Sequence, residues 1–176
     1  MIDLIRWVVP SPGRGPPSTP SYTFCLCPHI HEKLMNRVQY LTSYSFPIAD
    51  CGLATLSIRV DELANRLGFP VLEWLEDGLG PTRGFAVRLS SGRVYVLKEH
   101  LLSIKYSYTK GPNIVVDAAG LARLGVVTLL AEFLVAMDLA RTDVSWMADR
   151  SYELEAEKLV TEFEMRTLEL ARDSTQ

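Results

Sequence analysis

The chain has 176 residues, of which 48% are hydrophobic and 22% charged, and its formal net charge is −3. This length and balance suit one globular domain with tails, large enough to bury a full core, and argue against a dedicated nucleic-acid binder. Three cysteines, an odd number, supply no disulfide framework and point to a reducing, cytoplasmic setting.

The first 34 residues differ from the rest. Pro10, Pro12, Pro16, Pro17, Pro20 and Pro28 lie here, six of the ten prolines in the chain. Proline fixes φ and removes backbone donors, so residues 1–34 are expected to form a largely disordered tail. Asp3 and Arg6 interrupt its short apolar patch, and it does not read as a signal peptide. Met35 is an alternative start, which would place the tail outside the native protein. A single globular domain is expected over residues 35–176.

A helix is possible from His31 to Tyr44, stopped before Pro47. A turn at Asp50–Cys51–Gly52 leads to a short strand at Ala54 to Ile58. Val60, Leu63, Ala64 and Leu67 then recur at helical spacing, with Asp61 and Glu62 near the positive end and Gly68 as the stop. Pro70 can open a second helix that runs to Gly78, apolar through Val71, Leu72, Trp74 and Leu75 and acidic through Glu73, Glu76 and Asp77. Two runs rich in β-branched and aromatic residues, RGFAVRL and RVYVLKE, are joined by Ser90–Ser91–Gly92 and predict a β-hairpin. Ser103 to Thr109 alternates Ile104, Tyr106 and Tyr108 against Lys105, Ser107 and Thr109, which predicts a third strand. Ile114 to Val116 is a short strand or lead-in.

Asp117 is a natural N-cap, and Gly125 a stop or a kink before Val126. The stretch Leu121 to Leu139 organises the chain. Between Leu124 and Met137 its one ionisable side chain is Glu132, so it reads as a buried core helix. Arg123, Glu132 and Asp138 interrupt it as a membrane span, for which it is also short. Thr142 can cap a short turn through Trp146. Ser151 to Arg172 predicts a long amphipathic helix with an apolar stripe of Tyr152, Ala156, Leu159, Val160, Phe163 and Leu170. The sum is an α+β fold: a small antiparallel sheet of about three to four strands packed on helices, with a central buried helix and a long C-terminal one.

Cys25, Cys27, His29 and His31 form a C-x-C-x-H-x-H string of residue types that bind zinc or copper. Its spacing is unusual for structural zinc, and a chance cluster in the tail is preferred; no metal and no cofactor are expected. Cys51 as a nucleophile would need a base, and His100 is the one histidine outside the tail; a structural cysteine is preferred. Glu132, if buried, could act as a general acid, but pairing with an arginine such as Arg88 or Arg123 is preferred. No catalytic residue is assigned.

The stretch from Arg83 to Lys110 holds Arg83, Arg88, Arg93, Lys98, Lys105 and Lys110 against Glu99 alone, six basic residues to one acidic. Phe85, Tyr95, Tyr106 and Tyr108 are interleaved. These six basic residues are the expected partner-binding surface, for an acidic protein or, second, a nucleic acid.

DELANRLGFPVLEWLEDGLGP followed by a basic hairpin, Val60 to His100, resembles a winged helix-turn-helix of the MerR or excisionase kind. That resemblance implies a DNA-binding regulator. Its recognition helix would present Glu73, Glu76 and Asp77, which phosphates repel. The first reading is therefore a non-enzymatic partner-binding protein, by composition an immunity- or antitoxin-type inhibitor. The DNA-binding regulator is second and a small enzyme third.

Overall fold

The structure is a computed structural model that describes residues 37–76, 80–101 and 111–173. The proline-rich tail, the Cys25–His31 string and the strand expected over 103–109, with Lys105 and Lys110, lie outside the described residues.

The hairpin predicted around Ser90–Gly92 is the centre of the sheet. Strand β4 (Gly80–Leu89) pairs with β5 (Val94–His100) from Thr82↔His100 to Arg88↔Val94. Gly92, at φ 85°, takes the left-handed position that the reversal needs. β6 (Asn113–Asp117) lies on the far side of β5, then β2 (Asp50–Leu56), then β7 (Val144–Met147). β4's other edge is shared. β1 (Val38–Leu41) takes its second half through Val38↔Leu89 to Leu41↔Ala86, and β3 (Leu72–Glu76) its first half through Leu72↔Gly84 to Glu76↔Gly80. All these pairings are antiparallel.

Among the described residues the sheet thus has seven strands, not three to four, and the fold remains α+β. The strands missed in the sequence are short: four residues each in β1 and β7 and five in β3. Such strands carry little alternation of their own and form because a longer neighbour supplies their hydrogen bonds. Two expected helices are replaced in this way. The segment around Val38 is β1, and the helix expected over Pro70–Gly78 contains β3. The helix-turn-helix order therefore does not form, and with it goes the structural basis of the winged-helix resemblance.

The helices cover one face of the sheet. α1 (Val60–Leu67) buries Val60, Leu63, Ala64 and Leu67 and ends at Gly68, whose φ of 68° sets the left-handed C-terminal cap. α2 (Ala118–Ala136) follows β6 directly, with Leu121, Val126, Leu129, Leu130 and Phe133 buried. They share one core with Phe85, Val87, Tyr95, Leu97, Ile114 and Val116 of the sheet. By length and composition α2 could cross a membrane; here it is the core helix of a folded domain. It is broken at Gly125. α3 (Arg150–Asp173) buries Ala156 against this core.

The opposite face carries no helix among the described residues. Ala86, Val96 and Val115 form a smaller apolar cluster there, closed by Leu41, Phe46 and Val94. The chain between β1 and β2, residues 42–49, supplies Phe46 to that cover.

Candidate functional site

The fold separates the basic residues that the sequence groups together. Arg83 faces the helices, where its Nη2 lies 2.7 Å from Glu99 Oε2 and 3.8 Å from Asp61 of α1. Arg93 reaches Glu132 on α2. Lys98 is buried on the helix-free face. Arg88 is exposed and has no ion pair among the described residues. Three of the four described residues are therefore neutralised inside the fold.

Glu132 is the acid that the core helix carries, and its partner is Arg93, not Arg88 or Arg123. The Tyr95 hydroxyl also donates to it, at 2.8 Å, and lies 3.1 Å from the Leu129 carbonyl. Burial opposes ionisation of Glu132, but hydrogen bonds from Arg93, Ser91 and Tyr95 outweigh it and hold the carboxyl below its ordinary value. It is an ionised partner, not a general acid. Tyr95 is pushed far up, by burial first and then by Glu132. Cys51 is half-buried, and burial followed by the charges of Asp50, Asp117 and Glu155 raises its thiol pKa. That is the reverse of what activates a nucleophile.

Lys98 gathers a network of its own. Its Nζ donates to Asp50 Oδ2 at 2.6 Å and to Glu76 Oε1 at 2.9 Å. Burial alone would lower its pKa, but these two hydrogen bonds outweigh it and raise the value, so Lys98 is a fixed cation. Tyr44 lies beside it; burial raises the phenol pKa and Lys98 partly offsets this. His100 Nδ1 sits 2.8 Å from Thr82 Oγ1 and 4.0 Å from Glu76 Oε2. One lysine in a central strand thus joins the start of β2, the end of β3 and the 42–49 connection.

Next to this network lies a groove of about 510 Å³. It opens where β1 ends and β3 begins on the shared edge of β4. Leu41, Thr42, Ser43 and Tyr44 leave β1 along one side, Leu72, Glu73 and Trp74 enter β3 along the other, and Phe85 and Ala86 are also in its lining. Trp74 owes its place to Gly84, where any Cβ would approach the indole to 3.2 Å. Tyr44 belongs to both features: its ring lines the groove and its hydroxyl faces Lys98. Leu72 is 41% exposed, and Leu75, farther along β3, 80%.

The groove is not legible in the sequence because its walls come from segments about 30 residues apart, and because Leu72, Trp74 and Leu75 follow a helical spacing. The available signal was Trp74 and two leucines in an acidic run bounded by Pro70. No protein-family model, no curated protein and no solved structure matches this chain.

Proposed function

We propose that the chain is a non-enzymatic partner-binding protein that docks a polypeptide segment in the groove between β1 and β3. One observation carries the reading. The groove is lined by the aromatic side chains of Tyr44 and Trp74 with Leu72 half-exposed at its rim, while Lys98 beside it is held by Asp50 and Glu76. Aromatic pockets of this kind hold the anchor residues of interfaces. Acid–base chemistry instead needs a group free to exchange its proton, and Lys98 is bound on two sides. The occupant suited to this site is a large apolar side chain flanked by lysine or arginine, because two carboxylates, Asp50 and Glu76, meet the one ammonium of Lys98 and a third, Glu73, lines the groove. This charge is opposite to the acidic partner expected from the sequence. An immunity- or antitoxin-type inhibitor is one form of such a protein, supported by size and composition alone.

Selection from a displayed library of random twelve-residue peptides tests the reading. Enriched peptides should combine an aromatic or large aliphatic residue with lysine or arginine. Their binding should fall at least tenfold with Leu72→Asp, which changes an exposed rim position. Failure to enrich any peptide, or binding indifferent to Leu72→Asp, would contradict it.

A further inference from the structure

α2 is interrupted at Gly125, where φ is 75° and ψ 163°, a backbone conformation that L side chains rarely adopt. The sequence does not demand the break. Residues 118–136 contain no proline, and a glycine inside a helix costs only about 1 kcal/mol relative to alanine. A continuous helix is open to this stretch, so something must hold it broken. The contact that does so comes from α3. Val126, the first residue after the break, donates its backbone N–H to Glu153 Oε1 at 2.8 Å. Glu153 Oε2 accepts in turn from Arg150 Nη1 at 2.5 Å. Glu153 thus caps the second half of α2 from another helix, where a carboxylate also suits the helix dipole. A Cβ at position 125 would stand 2.9 Å from the same Glu153 oxygen, so the gap at the break is shaped around the cap.

We propose that α2 is a two-state helix, broken while α3 is seated with Glu153 on Val126 and continuous once Glu153 is withdrawn. Gly125 is the hinge, since it alone in the helix takes non-helical dihedrals. The first half of α2 supplies Ala119, Gly120 and Arg123 to a cavity of about 350 Å³ at the end of the sheet, shared with Phe46 and Arg93. Straightening at Gly125 re-aims that half against the second, so the seat of α3 sets the shape of this cavity. The handle for withdrawal is the far half of α3. It is exposed on every side from Thr161 to Arg172, although it carries Phe163 and Leu170 in line with the buried Ala156. This device is separate from the groove at β1 and β3, and its failure would leave the groove reading intact.

Backbone chemical shifts of Leu124, Gly125 and Val126 in the isotope-labelled full chain test it. In Glu153→Ala all three should move to helical values, and amide exchange at residues 126–128 should slow at least tenfold as they gain partners four residues back. Glu153→Gln keeps an acceptor oxygen and should keep the break. Non-helical shifts at Gly125 in Glu153→Ala, or helical ones in Glu153→Gln, would overturn the proposal. Gly125→Ala probes the same coupling from the other side and stands in if Glu153→Ala fails to fold. A continuous α2 should raise amide exchange over residues 150–160 at least tenfold; unchanged exchange there would also overturn it.

Discussion

Arg93 and Glu132, 39 residues apart in the chain, meet in a bidentate pair with Nε 2.6 Å from Oε2 and Nη2 2.7 Å from Oε1. The pair ties the start of β5 to the middle of the core helix. It also explains how a helix this apolar can carry a carboxylate over the sheet: the charge is met by a matching fork and by the Tyr95 hydroxyl.

The pair makes stability depend on acid. Glu132 binds its proton less tightly in the folded chain than in the unfolded one. Its contribution is therefore complete above the ordinary glutamate value of about 4.3 and is lost as pH falls through the lower folded-state value. Glu132→Gln should cost about 2 kcal/mol at pH 7, the scale of a charged hydrogen bond. Urea unfolding at pH 7 and pH 3 checks this, with the gap between variant and wild type closing at the lower pH.

Lys98 should be the costliest charged side chain to remove. Lys98→Met leaves Glu76 and Asp50 facing each other without a cation. Breaking a buried pair costs about 3–5 kcal/mol, and the lower end applies because Asp50 is half-exposed. Adding Glu76→Gln to Lys98→Met should recover about 1 kcal/mol, since the two residues share one network. Denaturant midpoints of the two single variants and the double variant supply the comparison.

Two glycines of the sheet should behave oppositely. At Gly84 a Cβ would lie 1.8 Å from the Leu97 carbonyl oxygen, whereas at Gly52 nothing lies within 4 Å. Gly84→Ala should destabilise by about 3 kcal/mol, near the upper end for overpacking. Gly52→Ala should stay within about 0.5 kcal/mol of wild type. Thermal unfolding of both variants distinguishes them.

Features that depend on neighbours in sequence were legible before the structure. The hairpin between β4 and β5 announces itself through Gly92, and α1 through its four spaced apolar residues and Gly68. The burial of the core helix follows from composition, and Gly125 marks where an interruption could fall, although the contact from Glu153 that holds it broken is not legible. Features that depend on distant pairing were not. Leu72 to Glu76 reads as helix until the first half of β4, a stretch that looks like a loop, is known to lie beside it. Asp50, Glu76 and Lys98 come from three strands and share no motif. Arg93 was one arginine among several that could reach Glu132, and only the register of β5 against α2 selects it.

The groove between β1 and β3 is most directly tested by amide and side-chain NMR of the labelled full chain, titrated with a peptide that carries an aromatic residue beside arginine. Binding in the groove predicts saturable shifts at Tyr44, Leu72, Trp74, Phe85 and Ala86, with Arg88 and the far half of α3 unmoved. Shifts centred on Arg88 or on Phe163 to Leu170, with the groove residues unchanged, would contradict it.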